Sequence, residues 1–198
     1  MWATFAQAVV LGFSIAAPVG PIGVLCIRRT LADGWGVGLA CGLGAATADS
    51  LYGLVAGLGL TAVTAALVGA QAVLRAAGSV YLAWLGVRAL RAAPAAEAAS
   101  VAGRRALGAF GSTVLLTVTN PATILSFVAL FGALVRTPSA PVLAGGVFAG
   151  SAAWWLLLSG SVSVLRGRIR PAHLVWVNRV SGAVLCGFAV WAGAGLFA

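Results

Sequence analysis

The chain has 198 residues, 62% of them hydrophobic and 8% charged, with a mean hydropathy of +1.08; that leaves too little polar surface to coat a soluble globule, so lipid is the solvent for most of it. The net charge of +9 comes from 12 basic residues, every one an arginine, against Asp33, Asp49 and Glu97. Those arginines punctuate apolar runs instead of arraying on one soluble face among aromatic residues, which argues against a nucleic-acid partner and makes the charge a matter of membrane topology.

A helix crossing the hydrocarbon core needs about 20 apolar residues, and six stretches qualify: 3–27, 35–60, 68–90, 107–135, 142–165 and 174–197. The first has no basic residue over 1–7 and continues through a Pro-Gly-Pro region, so it reads as a membrane helix and not as a cleaved leader. Within it, Ala17-Pro18-Val19-Gly20-Pro21 removes backbone donors and introduces an irregular turn, so this helix is expected to break inside the membrane.

The second stretch carries Asp49, the only acidic residue in any span, about fourteen residues in and near mid-bilayer. On the insertion scale a charge there costs about 2.5–3.5 kcal/mol. Gly38, Gly42, Ala46, Asp49, Gly53 and Ala56 recur in steps of three and four, which sets Asp49 on a face of small residues pointing into the bundle. Two readings stand: an aspartate that joins helices by a hydrogen bond, for instance to Tyr52 one turn on, or a group that takes up and releases a proton or holds a substrate ammonium.

The third stretch contains Arg75, which is expected to snorkel from the outer end toward water, as is Arg136 further on. Residues 91–106 form the one long polar-leaning loop. The fourth stretch contains Thr119-Asn120-Pro121-Ala122-Thr123, a second proline deep in an apolar run with neighbours able to satisfy freed backbone groups. The fifth echoes the small-residue face of the second through Gly146 and Gly150, and its Trp154 and Trp155 read as packing. His173 reads as a solvated loop residue. Cys26, Cys41 and Cys186 form no metal-ligand spacing and read as small apolar packing.

The pattern gives an all-α integral membrane protein with one domain over 1–198. It is expected to be two inverted three-helix repeats, 3–90 and 107–197, joined by a cytoplasmic loop over 91–106, with broken helices 1 and 4. Interrupted helices in corresponding positions of inverted repeats mark a midplane binding site in secondary transporters. Half-helix termini there attract a carboxylate at one end and an ammonium at the other, so Pro18, Gly20, Pro21, Thr119, Asn120, Pro121 and Thr123, with Asp49 and Tyr52, are the candidate substrate and coupling residues. Arg28 and Arg29, Arg88, Arg91, Arg104 and Arg105, and Arg166, Arg168 and Arg170 fall on one side; the positive-inside rule makes that side cytoplasmic and both termini extracytoplasmic.

Taken in order, Pro18-Val19-Gly20-Pro21, Ala48-Asp49-Ser50-Leu51-Tyr52-Gly53, Gly78-Ser79-Val80-Tyr81-Leu82, Asn120-Pro121 and Asn178-Arg179-Val180-Ser181-Gly182 resemble the LysE/RhtB family of amino-acid exporters. The resemblance implies a bacterial inner-membrane exporter of amino acids, driven by the gradient of a proton or other coupling ion, without ATP or a bound cofactor. Two departures stand out: Val19 is inserted relative to the commoner contiguous Pro-Gly-Pro, and Ala122 stands where many members have lysine. A metal-ion exporter would need several ligands where only Asp49 lies at depth, and an intramembrane enzyme would need paired catalytic groups that the spans lack. A non-transporting assembly subunit, or a homodimer, is the remaining use for the small-residue faces of the second and fifth helices.

Overall fold

The computed structural model describes residues 1–18, 20–59, 65–66, 69–91, 102–120, 123–124, 126–127, 139–166 and 171–194. Val19, Glu97, Pro121, Ala122 and Arg136 therefore lie outside the described residues, as do the side chains of Arg104 and His173. Among the described residues all regular structure is helical: α1 (Trp2–Ala16), α2 (Pro21–Asp33), α3 (Trp35–Gly57), α4 (Gln71–Leu90), α5 (Ala102–Val118), α6 (Ala140–Arg166) and α7 (Pro171–Ala194).

Among the described residues four helices are long and apolar enough to cross a bilayer, namely Trp35–Gly57, Ala72–Leu90, Ala140–Arg166 and Val175–Ala194, and α1 with α2 makes a fifth crossing if the bent pair is one span. Arg105–Val118 is a shorter apolar helix, and most of the expected 107–135 span beyond it falls outside the described residues. The chain is a multi-pass membrane protein.

The first break follows from its prolines. Helix α1 closes with the Ala17 amide donating to the Phe13 carbonyl at 2.9 Å, and α2 restarts with Pro21 at its first position, where the missing N–H is one of the donors a helix start leaves unpaired anyway. The two segments meet at 80°. Gly20 itself is extended, φ −100°, with nothing near a would-be Cβ, so its glycine is not required by the turn, contrary to the expectation from sequence. Residues 28–33, expected as a connector, continue α2 instead. They can do so because Arg28 and Arg29 find partners on α7 and α5, donating to Asn178 Oδ1 at 3.0 Å and to the Ala109 carbonyl at 3.0 Å. The helix stops at Gly34, whose φ of +101° favours glycine.

Small residues set the packing around α3 and α6. A Cβ at Gly42 would collide with Trp155, and one at Gly53 would lie 3.3 Å from Val147 Cγ2, so the face carrying Gly42, Asp49 and Gly53 is the one that meets α6. Helix α1 rests on α6, where a side chain at Gly150 would run into the Val9 carbonyl and approach the Phe13 amide to 2.8 Å. Helix α5 rests on α3, where Gly44 receives the Phe110 carbonyl. Helices α4 and α7 pair closely, with a Cβ at Gly182 falling 2.8 Å from the Gly86 carbonyl, and α4 meets α5 only slightly. The opening helix of each half thus lies on the second helix of the other half, and the third helices pair.

Close approach at Gly150 has a direct test. Gly150→Ala is expected to lower the melting temperature of the detergent-solubilised protein, in line with an overpacking cost of about 1–3 kcal/mol. Gly145→Ala, with open space around the added methyl, should leave it unchanged or raise it. Equal melts for the two variants would contradict this packing.

Candidate solute-binding site

A cavity of about 280 Å³ opens where the first break, the end of α5, α4 and α7 converge. Pro18, Gly20 and Pro21 line it from the first break, Asn120 and Thr123 from the second proline motif. Five residues chosen from two distant proline motifs therefore come together. Helix α2 begins at this wall with no side-chain cap, leaving the amides of its first turn as donors toward an anion.

Helix α4 supplies the wall that sequence reasoning missed. Arg75, Gly78, Ser79 and Leu82 all line the cavity, spaced so that they share one helical face. Arg75, expected to snorkel from the outer end toward water, is one of the residues that line the cavity. An arginine on the same stripe as a glycine and a serine, in the first half of a largely apolar helix, was the signal available. Ser126 from beyond the second proline motif and Trp191 from α7 complete the polar and aromatic lining. No carboxylate lines the cavity among the described residues.

Asp49 lies elsewhere, in the seam between α3 and α6. It is 3% exposed, and Ser151 Oγ donates to its Oδ2 at 2.8 Å while Trp155 Nε1 donates to Ser151 Oγ at 3.1 Å. Tyr52 is not its partner. The Tyr52 hydroxyl donates to the Val118 carbonyl at 2.7 Å, and its ring stacks on Phe127 at 5.2 Å, so Tyr52 touches residues that flank the second proline motif in sequence. Thr119 is also absent from the lining. Its hydroxyl donates back to the Leu115 carbonyl at 2.9 Å, which spends it on the last turn of its own helix, while its carbonyl sits close to Gly78. Pro121 lies outside the described residues.

A second cavity, of about 440 Å³, lies further along the same two helices, with Arg28 and Arg29 from α2, Arg88 from α4 and Arg105 from α5 in its walls. Where the two linings adjoin, Leu82, Leu85 and Leu116 are buried in one apolar cluster with Leu185.

Apolar helices, one of them broken by prolines, around a small cavity with a few polar groups define a membrane translocator of small solutes. The chain belongs to the LysE type translocator family, whose model matches residues 13–194. It is 34% identical over 211 residues to the chemotactic transduction protein ChpE of Pseudomonas aeruginosa, covering 99% of this chain and all of that one. Over 201 residues it is 28% identical to a Bacillus subtilis protein named as an amino acid efflux protein, YcgF, covering 96% and 94% of the two chains. An Aeromonas salmonicida protein named as an amino-acid transporter, YggA, is 27% identical over 212 residues, covering 98% of each. No solved structure matches the chain significantly.

The Asp49 cluster predicts a contrast between two serines of α6. Ser151→Ala leaves the carboxylate and the Trp155 N–H without their partner and is expected to cost about 1–3 kcal/mol in stability. Ser159 is equally buried, and its hydroxyl has no hydrogen-bond partner among the described residues, so Ser159→Ala should be neutral or stabilising. Thermal melts of the two variants side by side check this, and a larger loss at Ser159 would refute it.

Proposed function

We propose that this protein is a secondary-active exporter of amino acids or similar small zwitterionic solutes, working by alternating access in the bacterial inner membrane. The observation that carries the reading is the convergence of Pro18, Gly20 and Pro21 with Asn120 and Thr123 on one cavity with Arg75 in its wall. About 280 Å³ is at the small end of ligand sites, which run from about 300 to 1,000 Å³, and suits a single amino acid better than a peptide. In this reading Arg75 and the first-turn amides of α2 take the carboxylate. Asn120, Thr123, Ser79 and Ser126 supply neutral hydrogen bonds to the remainder.

The efflux and transporter names of the Bacillus and Aeromonas relatives support the same class of solute. Reciprocal packing of α1 on α6 and α5 on α3 supports the reading of 3–90 and 107–197 as inverted repeats of three helices each, joined through 91–106. Asp49, at the seam between those repeats, is assigned to ion coupling. Its hydrogen bond from Ser151 leaves it able to gain and lose a proton as the seam changes, without entering the solute cavity. The leucines between the two cavities serve as the barrier that alternating access requires.

Uptake of labelled amino acids into proteoliposomes, with and without an imposed proton gradient, tests the assignment. At least one neutral amino acid should move in a gradient-dependent way. Arg75→Gln is expected to raise KM about tenfold, the scale of one lost charge-assisted hydrogen bond. Asp49→Asn should abolish the gradient dependence while solute still binds. Full gradient-driven transport by both variants, or no movement of any amino acid, would defeat the proposal, and the second outcome would turn attention to a non-transporting role.

Orientation has its own test. With the arginine-rich ends in the cytoplasm, a reporter fused after Ala198 should be active only as an extracytoplasmic enzyme; activity of a cytoplasmic reporter there would reverse the topology.

A further inference from the structure

The arginine-lined cavity has a chemistry of its own. Four guanidinium groups, from Arg28, Arg29, Arg88 and Arg105, share its walls with one carboxylate, Asp33. That carboxylate is already engaged by Arg105 Nη1 at 3.3 Å. Arg29 spends its donors on neutral acceptors, the Ala109 carbonyl and the hydroxyls of Ser112 and Thr113. Arg28 uses its Nε on Asn178, while its terminal nitrogens meet no acceptor among the described residues. Arg88 lies over the Trp84 ring at 4.9 Å and likewise donates to no described residue.

Membrane topology asks only that arginines stay on one side of the bilayer. It does not ask them to converge from three helices on one space of about 440 Å³, where like charges repel. Such convergence is the pattern of a site for an anion with several acceptor oxygens, since guanidinium groups pair with phosphate through parallel N–H donors. The surroundings narrow the class. Trp84 in the cavity wall is 50% exposed, so apolar surface open to lipid borders the basic cavity. A phosphate with acyl chains attached satisfies both halves of this arrangement, and a free anion only one.

We propose that the cavity among Arg28, Arg29, Arg88 and Arg105 binds the phosphate headgroup of an anionic phospholipid, whose chains lie against Trp84. The site is independent of which solute the protein moves. It joins α2, α4 and α5 through a ligand, in a region where α4 meets α5 only slightly.

Lipid retention measures it directly. Purified protein is exchanged into mixed micelles containing phosphatidylglycerol or phosphatidylcholine, and bound lipid is counted by native mass spectrometry alongside thermal melts with added inorganic phosphate. Wild-type protein should retain phosphatidylglycerol and be stabilised by it, with little effect from phosphatidylcholine or millimolar phosphate. The double variant Arg28→Gln/Arg88→Gln should retain about tenfold less, and its melt, lowered in both lipids by loss of the Arg28 bond to Asn178, should no longer rise in phosphatidylglycerol over phosphatidylcholine. Arg179→Gln, at an exposed position over Trp176 on α7, should retain as much as wild type. If the double variant does not fold, Arg88→Gln alone, whose described partner is the half-exposed Trp84 ring, is expected to show the loss. Undiminished retention in Arg88→Gln, or equal stabilisation by inorganic phosphate, would overturn the lipid assignment, the latter in favour of a soluble anion.

Discussion

The hydrogen bond from Ser151 to Asp49 closes a seam between α3 and α6 on which α1, α2 and α5 pack. A polar pair at this depth is tolerated because each member has a partner, and Trp155 extends the chain by one more donor. Gly42 and Gly53 let the backbones come near enough for so short a bond. With that spacing set, Gly150 and Gly44 present shallow places for α1 and α5 to lie across the seam from opposite sides. Dispersion over these close contacts, and not hydrophobic exclusion, holds helices together in a solvent as apolar as their own side chains.

The cavity lined by both proline motifs sits away from this seam, beside the break between α1 and α2. Irregular backbone in a bilayer is permitted only where protein or a cavity covers it, so a break and a cavity are two sides of one requirement. Tyr52 connects the two regions. It stands three residues beyond Asp49 on α3 and fastens the Val118 carbonyl just before the second proline motif. A change at the Asp49 seam therefore has a short mechanical route, one helical turn and one hydrogen bond, to the wall holding Asn120.

Hydropathy alone revealed four of the expected membrane spans and the bent first one, because burial in lipid demands long apolar runs whatever their packing. The break at Pro18–Pro21 was equally legible, since proline acts on its own backbone. The inward face of α3 followed from the spacing of Gly42, Asp49 and Gly53. What stayed hidden depended on the rotation of one helix against another. Arg75 reads alone as a residue near a helix end, and only the docking of α4 beside the two proline motifs turns it to the cavity. Thr119 and Asn120 are neighbours of similar chemistry, yet one hydroxyl folds back on Leu115 while the other side chain lines the site. The extension of α2 through Asp33 was hidden for the same reason, because the acceptors that suit Arg28 and Arg29 come from α7 and α5.

The pairing of α4 with α7 divides the molecule in a way that bears on the solute. Gly86 and Gly182 bring these two helices almost backbone to backbone, whereas α4 has little contact with α5. Arg75, Ser79 and Trp191 belong to this pair; Pro18, Gly20, Pro21 and Asn120 belong to the rest of the bundle. A bound molecule would therefore straddle a parting line, gripped by one body through its charge and by the other through broken backbone. In the proposed reading, displacement of the pair against the rest, resisted by the Arg28 bond to Asn178, would loosen both grips together.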